Sequence, residues 1–124
     1  MALKILLIED DHDITATTQS LLEKKGYAVR TALCAEDALK IVRQDPPEMI
    51  ITDYRLPGQN GDALTHDIKS TPATSHIPVL MCTAQTSLAQ PLGGNPHLHR
   101  PDAYLIKPFS SSDLLAKIRA LTGG

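Results

Sequence analysis

Short apolar runs alternate along the chain with segments of helical periodicity. Leu3-Lys4-Ile5-Leu6-Leu7-Ile8 is an apolar run closed by acids. From Asp13 to Lys25 the apolar residues Ile14, Leu21 and Leu22 recur at helical spacing, and Gly26 ends the pattern as a C′ glycine does. Tyr27 to Thr31 reads as a strand. Ala35 to Arg43 reads as a helix carrying Ala38, Leu39 and Val42 on one side, with Pro46-Pro47 closing that unit. Met49 to Thr52 is the next strand and ends at Asp53. Leu56-Pro57-Gly58 is a turn. Gly61 to Lys69 predicts a helix with Ala63, Leu64 and Ile68 inward. Ile77 to Cys82 predicts a strand ending at Thr83, and Ala103 to Ile106 another ending at Lys107-Pro108. Ser112 is a candidate cap for a last helix through Leu114, Leu115, Ile118 and Leu121.

Five strands and four clear helices follow. Between the fourth and fifth strands, Gln85 to Arg100 holds Pro91, Gly93-Gly94 and Pro96, so a helix there is expected to be short or broken. Near-continuous apolar strands alternating with helices predict an α/β fold, a parallel sheet covered on both faces. In such sheets the site lies beyond the carboxyl ends of the strands.

Composition narrows the class. With 124 residues the chain is expected to form one domain over 1–124, and 42% hydrophobic residues suffice for an ordinary core. The formal net charge of −2 and the absence of a basic stripe argue against nucleic-acid binding. Cys34 and Cys82 form no paired spacing and read as reduced, small core residues. That usage, with no signal-peptide pattern and no membrane-length apolar stretch, predicts a cytoplasmic location.

The strand ends carry the candidate chemistry. The first ends in Glu9-Asp10-Asp11, the third in Asp53, the fourth in Thr83 and the fifth in Lys107. Several carboxylates in one crevice need a countercharge. Oxygen-only ligands favour a hard cation, and Mg²⁺ takes one or two carboxylates and keeps several waters. Lys107 supplies a second positive charge. Asp53, central among these groups, is the candidate nucleophile for an aspartyl phosphate, with Mg²⁺ and Lys107 stabilising the transferred group. Thr83 is placed to hydrogen-bond a phosphoryl oxygen. Each feature alone is more commonly a cap, a turn residue or solvated surface; their ordered placement on successive strand ends is what points to a site.

These segments resemble the receiver domains of bacterial response regulators. The likeness is carried by Ile5 to Asp11, by Asp53-Tyr54-Arg55-Leu56-Pro57 with Asn60-Gly61, by Pro78 to Ala84, and by Tyr104-Leu105-Ile106-Lys107-Pro108-Phe109. Thr83 lies 30 residues after Asp53 and Lys107 lies 54 after it, the second spacing slightly long for the family. The resemblance implies a flavodoxin-like three-layer fold with strand order 2-1-3-4-5. It makes Asp53 the phosphoacceptor and gives Mg²⁺ to Asp10 directly, to Glu9 through water, to Asp53 and to the backbone carbonyl of Arg55. It makes Thr83 and Tyr104 a switch pair, and Lys107-Pro108 a cis peptide whose lysine pairs with the phosphoryl group. A histidine kinase or histidine phosphotransfer protein would donate the phosphate, and a further protein, not nucleic acid or a membrane, would read the result. Such a domain is a signalling element, not a dedicated enzyme. The chain departs from the family at Gln85 to Pro101, which is long and rich in helix breakers. Arg100-Pro101 also stands where the family commonly has Gly-Ala.

Two alternatives remain. Asp11-His12-Asp13-Ile14-Thr15 also resembles the D-x-D-x-T of haloacid-dehalogenase-type phosphatases, in which Asp11 would be essential. A receiver-shaped interaction module that is never phosphorylated is the second. His97-Leu98-His99 reads as exposed loop before it reads as a metal site, and His12 as a solvated helix start.

Overall fold

The computed structural model describes residues 2–84 and 98–123. Among these lie five strands, β1 (Lys4–Ile8), β2 (Ala28–Ala32), β3 (Met49–Asp53), β4 (Val79–Thr83) and β5 (Ala103–Ile106). Four helices accompany them, α1 (His12–Lys24), α2 (Ala35–Gln44), α3 (Gly61–Ser70) and α4 (Ser111–Thr122). All strand pairs are parallel, in the order β2-β1-β3-β4-β5, so the expected flavodoxin-like sheet is the one observed. The segment in which a short or broken helix was expected lies largely outside the described residues, and its described end, Leu98 to Pro101, is irregular.

Alternation within the strands builds two cores. Leu6, Ile8, Ile50 and Val79 point to the face covered by Ala38, Val42, Leu64 and Ile68 of α2 and α3. Ile5, Leu7, Ile51 and Leu80 point to the other, where Leu22 of α1 and Leu114 and Ile118 of α4 close over them. Leu6, Leu22, Leu80 and Ile118 are wholly buried. Each such side chain contributes roughly 1.5–3 kcal/mol relative to exposure, which is why the middle strands tolerate almost no polar residue.

Helix boundaries follow local chemistry. Asp11 caps α1, its carboxylate accepting from the backbone N–H groups of Asp13 and Ile14. At the other end Gly26 has φ +95. Its N–H reaches the Glu23 carbonyl and that of Tyr27 reaches Leu22, the paired bonds of a Schellman stop. Tyr27 is thereby taken up in the cap, so β2 begins one residue later than expected.

Four other expectations are corrected. The cap of α4 is Ser110, not Ser112; its hydroxyl accepts from the Asp113 N–H while the Asp113 carboxylate accepts from the Ser110 N–H. Only a residue three before the acid can close that reciprocal box. Strand β4 begins at Val79, not Ile77, because the Ile77 N–H turns back to Thr74. Cys34 is a half-buried cap residue of α2 and not a core residue, whereas Cys82 is buried as expected; both are free thiols. Ile14 is 47% exposed, so this apolar position in the first turn of α1 does not join the core. No helix among the described residues is long and apolar enough to cross a membrane.

Candidate functional site

The carboxyl ends of β1, β3, β4 and β5 converge, and three of their acids meet. Ligand oxygens of Glu9, Asp10 and Asp53 all lie within 4.8 Å of one another. Lys107 reaches in from the end of β5, with Nζ 2.5 Å from Asp53 Oδ1 and 3.8 Å from Glu9 Oε2. The Lys107 backbone is fixed by its N–H donating to the Thr83 carbonyl at 2.9 Å, which ties the ends of β4 and β5 together. The Lys107-Pro108 peptide is cis.

Burial divides the acids. Glu9 is 6% exposed and Asp10 lies open to solvent. Burial of Glu9 pushes its carboxyl above the ordinary range. The Asp53 charge and a hydrogen bond with Asp10 push the same way, against the Asp11 N–H bond and the Lys107 charge. Loss of hydration works to lower the Lys107 pKa, but its hydrogen bond to Asp53 and the charges of Asp53 and Glu9 prevail and raise it. Cys82, buried beside this pair, is pushed up to about 12 by burial and so stays a neutral thiol.

The raised Glu9 carboxyl has a consequence for stability. A folded-state pKa above the unfolded one means the native protein binds more protons across that window, so stability falls as pH rises through it. In the presence of a chelator, Glu9→Gln is therefore expected to raise the thermal midpoint at neutral pH and to flatten that fall. Melting curves of both proteins between acid and neutral pH check it; an unchanged or lowered midpoint for the variant contradicts the assignment.

The donor set suits a hard dication: three carboxylates, no nitrogen or sulfur among them, one side open to water. Asp11 is not a member of that cluster, its carboxylate being engaged at the helix cap. Thr83 ends β4 and is buried, Tyr104 lies half-buried on β5, and Arg55 sits two residues beyond β3 with its side chain exposed. A cavity of about 40 Å³ adjoins the cluster, floored by Ile14, Phe109 and Leu114.

Sequence reasoning assigned no structural role to the residues that hold this arrangement in place, Gly61 having entered only as a helix start and as part of the family likeness. The Thr15 hydroxyl, buried, donates to the carbonyls of Glu9 and Asp11 at 3.2 and 2.8 Å and so shapes the acid-bearing turn. Gly61 packs against the Asp53 backbone and its N–H donates to the Tyr54 carbonyl at 2.6 Å. Lys69 pairs with Asp102 at 2.6 Å ahead of β5. A Thr within a helix is too common to single out, and the packing role of Gly61 is visible only in the folded contacts.

A five-stranded parallel sheet with acids on two strand ends and a lysine on a third defines a class, and comparison with known proteins agrees. The chain matches the response regulator receiver domain over residues 5–119 and belongs to that family. It is thus a phosphoacceptor signalling domain of the two-component kind. It is 30% identical over 118 residues to the phosphate regulon transcriptional regulatory protein of Rhizobium meliloti, covering 95% of this chain and 51% of that protein. The chain spans about half the length of the curated relatives it matches. A chemotaxis response regulator of Vibrio cholerae superposes with a TM-score of 0.87 at 25% identity, covering 98% of this chain and 99% of that one. The receiver domain of a sensor histidine kinase from Pseudomonas aeruginosa, which has a magnesium ion coordinated in its active site cleft, shares the fold with a TM-score of 0.85 at 24% identity over the whole of both chains.

Proposed function

We propose that Asp53 is the phosphoacceptor of this domain and that Glu9, Asp10 and Asp53, with the backbone carbonyl of Arg55, hold Mg²⁺. The observation that carries the reading is Asp53 itself: at the end of the central strand β3, clustered with two acids and paired with Lys107 at 2.5 Å. In the transfer, a carboxylate oxygen of Asp53 forms a bond to phosphorus while the donor's bond to phosphorus breaks. The leaving atom departs with its electron pair. Lys107, whose pKa is raised by its hydrogen bond to Asp53 and by the Asp53 charge before transfer, then exchanges its carboxylate partner for a phosphoryl oxygen. Mg²⁺ held by Glu9, Asp10 and Asp53 would supply the remaining positive charge.

The new group adds about −1.5 to −2 charge. Thr83 is the hydroxyl assigned to receive one of its oxygens, and Tyr104 is the ring that follows. A histidine kinase or histidine phosphotransfer protein is the donor, as the family implies, and a partner protein reads the altered face. A cytoplasmic location fits such a donor.

Intact mass after incubation with acetyl phosphate tests the reading. The expected result is one added phosphoryl group in Mg²⁺ and none in excess chelator. A folded protein that gains no mass in either condition would instead be a receiver-shaped interaction module.

A further inference from the structure

The strand bearing Tyr104 is approached by an unusually constrained lead-in. The His99 N–H donates to His66 Nδ1 of α3 at 3.1 Å, and the two imidazoles stack with centroids 5.0 Å apart. Three residues on, Asp102 is held from several sides. Its Oδ2 lies 2.6 Å from Lys69 Nζ, also on α3, and accepts the Val79 N–H at 2.7 Å, and its own N–H donates to the Val79 carbonyl at 2.9 Å. Lys69 is itself mostly buried and donates to the Ile77 carbonyl at 2.7 Å, so its position is determined from two sides. Only Arg100 and Pro101 lie between these two tethers, and proline's ring restricts φ at the second. Arg100 is thus mounted on a short bridge with little freedom to wander.

From that bridge its guanidinium stands over the Tyr104 ring, 5.3 Å from the centroid, within the range of a cation–π interaction. Tyr104 and Leu105 point to opposite faces of the sheet, and Leu105 belongs to the core against α4. The Tyr104 ring therefore faces the side from which α3 carries the bridge.

We infer that Arg100 is a positioning residue for Tyr104: it stabilises the ring in the place it occupies here and so opposes its displacement when Asp53 is phosphorylated. The inference rests on the phosphoacceptor reading above, since it concerns the response of the same site. The physical basis is differential contact. A ring that leaves the guanidinium loses the interaction, so Arg100 weights the equilibrium between two ring positions without touching Asp53. An exposed cation–π contact changes such a ratio by roughly 2- to 5-fold.

The test uses protein carrying fluorotyrosine in place of tyrosine, in the wild type, Arg100→Met and Arg100→Lys. The Tyr104 resonance is assigned by its loss in Tyr104→Phe. Met keeps most of the side chain's length and removes the charge; Lys restores a cation. In unphosphorylated Arg100→Met the Tyr104 resonance is expected to move toward the position the wild type reaches after phosphorylation, by a population change of roughly 2- to 5-fold. Arg100→Lys is expected to return most of the way to wild type. An unmoved resonance in Arg100→Met overturns the inference. So does a displacement that Lys reproduces in full, because that reports altered packing and not a lost cation. Intact mass on the same samples separates the two levels. A wild type that gains no phosphoryl group fails the phosphoacceptor reading itself. A wild type that gains one while its Tyr104 resonance stays put fails the inference alone.

Discussion

Asp53→Asn is expected to reduce phosphoryl incorporation from acetyl phosphate below detection, while Asp11→Asn leaves it in place. The amide oxygen of Asn is a poor nucleophile towards phosphorus, so the covalent step disappears whatever else is preserved. The substitution is close to isosteric, and the amide oxygen can still accept a hydrogen bond from Lys107. A thermal midpoint close to wild type for the variant is the control that separates loss of labelling from loss of fold. The substitution also withdraws one negative charge from a three-carboxylate cluster and so weakens affinity for a dication. Raising Mg²⁺ separates the two effects: it is expected to recover part of the labelling in Asp10→Asn and none in Asp53→Asn. Asp11→Asn keeps an oxygen that can accept from the N–H groups of Asp13 and Ile14, so it retains most of the cap. Labelling that survives Asp53→Asn and vanishes in Asp11→Asn would move the chemistry to the phosphatase-like motif at the start of α1. Intact mass on the three variants, at low and high Mg²⁺, decides among these outcomes.

Gly61→Ala is expected to destabilise the protein by about 1–3 kcal/mol and to slow phosphorylation as well. The reason is space and not backbone conformation. Gly61 does not have positive φ, and as the first residue of α3 it could in principle be alanine. A Cβ at this point would collide with the carbonyl oxygen of Asp53 and press on the Tyr54 Cα at 3.2 Å. Neither neighbour is the yielding end of a flexible side chain. The Gly61 N–H is bonded to the Tyr54 carbonyl at 2.6 Å, and the Gly61 carbonyl accepts from buried Thr65. Relief must come from moving α3 away or moving the end of β3. The second displaces the nucleophile, and a misplacement of about 1 Å can cost on the order of 100-fold in rate. Urea unfolding and the time course of mass gain measure the two effects. A variant with wild-type midpoint and wild-type labelling would mean that this contact has room to relax. Gly26 is the contrasting case: nothing lies near its missing Cβ, but its φ of +95 disfavours any side chain.

How much of this was readable from residues alone depended on the range of the forces involved. A parallel sheet was legible because continuous apolar runs such as Ile5 to Ile8 and Met49 to Ile51 suit strands covered on both faces, whereas its strand order came only with the family resemblance. Acids and a lysine at successive strand ends then had to share one crevice, since the fold brings all carboxyl ends to one side. Among Glu9, Asp10 and Asp11 the residues left the register open. The structure separates them by geometry: the Asp11 carboxylate turns into the helix cap, leaving Glu9 and Asp10 to face Asp53.

By itself, then, the order of apolar and polar residues determined the sheet, its helices and the set of groups at its carboxyl edge, because backbone periodicity and burial act over a few residues and leave a local signature. The tertiary structure alone decided which groups touch. Thr15 beneath the acid turn, Gly61 against Asp53, Lys69 on Asp102 and Arg100 over Tyr104 are each ordinary residues in their own segments. Contacts such as Lys69 to Asp102 join elements 33 residues apart in sequence. Whether two such side chains meet depends on helix placement to within an ångström, and that placement is set by the packing of both cores at once.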